Sequence, residues 1–183
     1  MKDLMPPSSK GLPCALSLTD GSKWTICAED EQAVPIVSCF RSVLRLSDGS
    51  EPLRKLLVLV DDKGRMADYR GGNKVCVLPE LMGDDGHYVQ LIQLSMVIAR
   101  EAQSLGGVLL HGALAERDGI GVILAAPGGT GKTTASERLP SPWQSLCDDV
   151  TLVVRDTKGN YCAHPWPTWS RFFGEEAGDG TDT

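Results

Sequence analysis

The sequence predicts an α/β fold, a core of mixed sheet and short helices preceded by a small β-rich module. Three observations predict it. Residues 126–133 read Ala-Pro-Gly-Gly-Thr-Gly-Lys-Thr between the apolar run Gly121–Ala125 and the helix-compatible stretch Thr133–Leu139, which is the strand, loop and helix order of a phosphate-binding loop. Two apolar segments, Val108–Ala115 and Ile120–Ala125, flank the turn residues Glu116-Arg117-Asp118-Gly119, so a hairpin feeds that loop. Upstream, short strand-like segments alternate with Gly-containing turns.

The first dozen residues, with Pro6-Pro7-Ser8-Ser9, read as a loose leader. From Ala15 to Ile26, Leu16 and Leu18 alternate with Ser17 and Thr19, and Asp20-Gly21 turns the chain into Lys23-Trp24-Thr25-Ile26, a hairpin signature. Lys55–Val60, the turn Asp62-Lys63-Gly64 and Met66–Tyr69 read as a second hairpin, and Lys74–Leu78 as a further strand. The clearest helix spans about His87–Leu105. Leu91, Ile92, Ser95, Ile98, Ala99, Ala102 and Leu105 share one face, Asp84 and Asp85 signal its start, and Gly106-Gly107 its stop. After the loop, a short helix ends at Pro140, and one strand, Ser145–Val154, carries Asp148-Asp149. The turn Asp156–Asn160 then leads to an antiparallel partner. The resulting division is 1–12 leader, 13–83 β-rich module, 84–173 helix plus phosphate-loop core, and 174–183 a disordered acidic tail.

A formal net charge of −6 disfavours a nucleic-acid surface, which needs clustered Lys and Arg. Apolar runs fall far short of a membrane span, and the N-terminus lacks a signal-peptide core, so the expectation is a cytoplasmic protein with no membrane partner. The six cysteines are scattered without a C-x-x-C pair, which argues for reduced, structural thiols. Whether the chain forms a homo-oligomer is left open.

The chemistry concentrates in the core. Pro127, Gly128, Gly129, Thr130, Gly131, Lys132, Thr133 and Thr134 form the candidate nucleotide site. Its glycines let consecutive N–H groups turn toward one anion, Lys132 reaches the terminal phosphates, and the Thr133 hydroxyl takes a place on Mg²⁺. Ala126 stands where the motif usually has its first Gly, a change that fits if φ there is negative. Asp148 and Asp149 follow Lys132 closely enough for one short helix and a return strand beside the loop. On a regular strand their side chains point to opposite faces, so one is expected to hold Mg²⁺ and the other to accept a proton. The plainer alternative is an acidic turn bonded to backbone N–H groups. His111, on the strand beside the one entering the loop, either serves the site or is a satisfied core histidine. His164-Pro165-Trp166-Pro167-Thr168-Trp169-Ser170-Arg171-Phe172-Phe173 could stack on a base, with Arg171 meeting phosphate, or could cover a core edge.

Residues 108–173 resemble the HPr serine kinase family, which shares a phosphate-loop core with phosphoenolpyruvate carboxykinase. The resemblance lies in His111-Gly112, the hairpin into Gly128–Thr133, the short helix and Asp148-Asp149, in that order. The Leu-Cys-Asp-Asp-Val and His-Pro-Trp-Pro-Thr-Trp-Ser-Arg-Phe stretches look most like the short SynChlorMet relatives from peptide-modification cassettes. The resemblance implies an HPr kinase/PEPCK-like core, ATP and Mg²⁺, and an active site of His111, Asp148 and Asp149 acting on a Ser or Thr of a peptide or small protein. Two departures temper it. Thr134 stands where HPr kinases carry Glu, and family members continue beyond the position of Phe173, which implies a truncated chain that binds nucleotide better than it transfers phosphate. Two other functions stay open, a non-catalytic nucleotide-binding adaptor that presents a precursor peptide and a small-molecule phosphate-loop kinase.

Overall fold

A computed structural model describes residues 12–49, 54–61, 68–70, 72–81 and 84–167. The leader, the Asp62-Lys63-Gly64 turn, Thr168–Phe173 with Arg171, and the acidic tail therefore lie outside the described residues. The chain forms two compact units. One comprises the residues up to Leu16 together with Lys23–Gln90, and the other comprises Ser17–Ser22 together with the chain from Leu91 on. Among the described residues no helix is long and apolar enough to cross a membrane, and all six cysteines are free thiols.

The first unit holds a six-stranded sheet in the order β3-β1-β2-β4-β6-β5, built from β1 (Cys14–Ser17), β2 (Lys23–Ala28), β3 (Ser47–Asp48), β4 (Arg54–Asp61), β5 (Asp68–Arg70) and β6 (Asn73–Pro79). β1 and β2 are neighbours across the Asp20-Gly21 turn, where Gly21 has φ 89°. Beyond that, the upstream module departs from a set of hairpins. β2, β4 and β6 run parallel, and helix α1 (Ala33–Val43) makes the crossover that parallel strands require. α1 packs on β2 and β4 through buried Ala33, Ile36, Val37 and Phe40, the i, i+3, i+4, i+7 stripe of an amphipathic helix. Asp30 ties its start to the sheet, because Oδ1 accepts the Ala33 N–H at 2.7 Å and Oδ2 accepts the Val60 N–H at 2.8 Å.

The hairpin expected between Lys55–Val60 and Met66–Tyr69 is not formed. β5 pairs antiparallel with β6, through Asp68↔Val75, Tyr69↔Lys74 and Arg70↔Asn73. The reason lies in β4, whose two edges are already taken by β2 and β6. β6 is buried from Lys74 to Leu78, the continuous burial of a strand covered on both faces.

Helix α2 (Asp84–Ser104) starts three residues earlier than its apolar periodicity indicates and runs through both units. Leu91, Ser95, Ile98, Ala99 and Ala102 are buried as expected, and so are Leu94 and Val97, whereas Leu105 is exposed beyond the helix end. Gly106 stops the helix at φ 93°, with its N–H on Gln103 O and the Gly107 N–H on Ala102 O. That bond pair is the Schellman closure.

The second unit's sheet is ordered β11-β10-β7-β8, with β9 also pairing β7. Its strands are β7 (Val108–Arg117), β8 (Ile120–Ala125), β9 (Gln144–Cys147), β10 (Val150–Arg155) and β11 (Tyr161–Trp166). The β7–β8 hairpin forms as expected, turning through Asp118 and Gly119 at φ 54° and 79°, the two positive values of a type I′ turn. β10 and β11 are antiparallel. The single strand expected over Ser145–Val154 is instead two strands broken at Asp148-Asp149. β9 pairs the far half of β7, at Leu114–Glu116, and β10 pairs its near half, at Val108–His111. His164, Pro165 and Trp166 lie within β11, and Trp166 is buried, so this part of the aromatic segment covers the core.

Candidate nucleotide and metal site

Everything at the site is referenced to β7. At Gly112 a side-chain Cβ would come within 2.7 Å of Ile123 Cγ2 and 3.1 Å of Leu124 O, so this residue sets how closely β8 packs on β7. β8 then delivers the chain into residues 126–131, and α3 (Lys132–Glu137) follows. Ala126 lacks a positive φ, while Gly129 and Gly131 adopt 74° and 88°, values glycine reaches without steric cost. Left-handed residues alternating with ordinary ones gather main-chain N–H groups around one anion. Among the described residues, the N–H groups of 128–134 make no backbone bond beyond the turn at Gly128-Gly129, which leaves most of these donors for a ligand.

Lys132 folds over its own loop, with Nζ donating to Ala126 O at 2.9 Å and Pro127 O at 3.2 Å. An ammonium has three donors, so one remains for an anion in front of the loop. The Thr130 hydroxyl bonds Pro127 O at 2.7 Å and closes the turn from behind.

The break between β9 and β10 positions the acids. Because Asp148 and Asp149 lie outside regular strand, alternation does not separate them, and both face a cleft of about 450 Å³ shared with His111, Gly128, Gly129, Gly131, Lys132, Thr133 and Thr134. The opposite faces expected of a regular strand do not apply at this strand end, where alternation is relaxed. Their difference comes from their partners. The Thr133 hydroxyl lies 3.4 Å from Asp148 Oδ2, and the His111 Nδ1 lies 3.4 Å from Asp149 Oδ1. Asp148 Oδ1 is buried with no protein partner, whereas the Asp149 and His111 side chains are 36% and 56% exposed. One carboxylate is therefore turned inward and the other toward solvent.

These groups fit a magnesium ion. A buried carboxylate oxygen without a donor is costly and suits a cation, and Mg²⁺ is commonly held by one or two protein groups completed by phosphate and water. Among the described residues no group of three or more His, Cys, Asp or Glu side chains could hold a metal, so Asp148 and Thr133 would share an ion with the ligand.

Of the expected site residues, His111, Gly128, Gly129, Gly131, Lys132, Thr133, Thr134, Asp148 and Asp149 come together in the cleft, while Pro127 and Thr130 are not among its lining residues. Sequence reasoning passed over Thr151 and Cys147, which flank the acids in sequence and meet each other and Gly112 O. A hydroxyl in an otherwise apolar strand, two positions after an acidic pair, was the available signal. His164 also sits away from the cleft lining, its Nε2 being 3.1 Å from Thr19 Oγ1 within the second unit.

No curated protein matches this chain. Residues 74–183 match the family described as SynChlorMet cassette protein ScmC, a span that covers all the cleft residues and more than half of the chain; the protein belongs to the ScmC family.

Proposed function

We propose that this chain binds Mg-ATP and transfers its terminal phosphoryl group to a Ser or Thr hydroxyl of a peptide or small protein, as an HPr kinase-like member of its cassette. The observation that carries this reading is the meeting of three features in one cleft. These are the unengaged loop N–H groups beside Lys132, the Thr133–Asp148 pair, and the Asp149–His111 pair. The loop N–H groups and the free Lys132 donor hold the β- and γ-phosphates. Thr133 and Asp148 would hold Mg²⁺, which would supply charge neutralisation at the phosphate oxygens.

Asp149 is the better placed proton acceptor because Asp148 has one oxygen buried whereas Asp149 is 36% exposed beside His111, which orients it. As the acceptor oxygen forms its bond to phosphorus and the bond to ADP breaks, the hydroxyl proton passes to Asp149. A peptide substrate agrees with the open side of the cleft, where Asp149 and His111 meet solvent.

Calorimetry with ATP, with and without Mg²⁺, tests the binding step. Lys132→Ala removes a charge-assisted bond worth roughly 1.5–3 kcal/mol, so affinity should fall about 10- to 100-fold. Equal ATP affinity in wild type and variant would overturn the assignment. Phosphoryl transfer is then tested with radiolabelled ATP and a library of Ser- and Thr-containing peptides. Tight Mg-ATP binding with no transfer to any peptide would favour the adaptor reading instead.

A further inference from the structure

The adjacent acids share a cleft only because β9 and β10 are interrupted between Cys147 and Val150, and such a break needs something to hold it open. Four bonds do so. The Gly112 N–H donates to Asp149 O at 2.8 Å. The Thr151 hydroxyl donates to Gly112 O at 2.9 Å. The Cys147 thiol reaches Val150 O at 3.2 Å and lies 3.5 Å from Thr151 Oγ1. Both main-chain groups of Gly112, the residue next to His111, are thus committed to the segment that carries the acids.

We infer that Thr151 is a positioning residue that fixes Asp148 and Asp149 relative to His111 and the phosphate loop. Its side chain is fully buried in β10, between apolar neighbours Val150 and Leu152. A β-branched apolar residue would suit the strand equally well, so the hydroxyl is explained by what it bonds rather than by packing. Without it, Gly112 O loses a buried donor and the thiol loses its neighbour, so residues 148 and 149 are held only by the Gly112 N–H on Asp149 O and the Cys147 thiol on Val150 O. This inference about site geometry rests on the proposed Mg-ATP function only for its consequence in binding.

Thr151→Val removes the hydroxyl at nearly constant shape, and Thr151→Ser keeps the hydroxyl while losing a methyl group. The Gly112 N–H donates to Asp149 O, so its hydrogen exchange reads how firmly the acidic segment is held, with no nucleotide present. The loss of one buried hydrogen bond predicts exchange at Gly112 about tenfold faster in Thr151→Val, with Val122 and Leu124 amides unchanged and Thr151→Ser close to wild type. The gain in ATP affinity on adding Mg²⁺, measured by calorimetry, should fall about tenfold in Thr151→Val and be retained in Thr151→Ser, even if the serine variant melts at a lower temperature. Wild-type exchange at Gly112 in Thr151→Val would overturn the inference, as would effects in both variants that simply follow their melting temperatures. If wild type shows no Mg²⁺-dependent ATP binding, the functional reading fails, and the exchange arm still decides whether Thr151 positions the acids.

Discussion

Two adjacent carboxylates meet different surroundings here, Asp148 beside the Thr133 hydroxyl with one oxygen buried and Asp149 beside His111 and solvent, and the proposed roles divide along that line. Asp148→Asn removes the negative charge beside Thr133 and should abolish most of the Mg²⁺-dependent part of ATP affinity. Asp149→Asn should bind Mg-ATP within about threefold of wild type while losing phosphoryl transfer by about 10²–10⁴-fold, the usual contribution of a positioned general base. Calorimetry and a transfer assay on both variants test this, and indistinguishable losses would contradict the division of roles. His164 gives a separate pH signature. Burial, partly opposed by the charge of Asp20, holds its pKa below the ordinary 6.5, and Thr19 engages its Nε2. The unfolded chain therefore takes up the proton first as pH falls, so stability contributed by neutral His164 is present above about 6.5 and drains away below it. Urea unfolding at pH 7.5 and 5.5 should show a larger loss in wild type than in His164→Gln; equal losses would refute the assignment.

Elements were legible where periodicity and punctuation agreed. The β7–β8 hairpin had alternating apolar residues about an Asp-Gly turn, and α2 had a long stripe closed by two glycines. α1 carried an equally regular stripe, Ala33, Ile36, Val37 and Phe40, with Asp30 before it and Pro35 in its first turn, and its helix periodicity was passed over within a β-rich reading. Strand pairing was harder to read, since β4 selects its neighbours through contacts distant in sequence. Phe40 is fully buried and anchors α1 on the sheet. Phe40→Ala should cost about 3–5 kcal/mol, measured by denaturant unfolding, with exchange accelerating first in α1, β2 and β4. A loss below 1 kcal/mol would show that α1 contributes little to the first core.

Over the whole molecule, the candidate site was more legible than the architecture around it, because a phosphate loop is written in contiguous residues and a sheet is not. The loop, Lys132, Thr133 and the acidic pair could be read directly. The interruption that turns both acids into the cleft could not, because Ser145–Val154 has the composition of one continuous strand, and only pairing with two different halves of β7 divides it. The second unit contributes every cleft residue, while the first has its own sheet and crossover helix. Gly112 carries a consequence for comparing relatives. A side chain there would press on Ile123 and on the Leu124 carbonyl, an overpacking of about 1–3 kcal/mol at the hairpin that leads into the loop. Position 112 therefore works as a marker in genomes. Homologues that keep glycine there can retain this cleft, and those that have drifted to a larger residue are the ones in which to look for decay of the loop and the acidic pair.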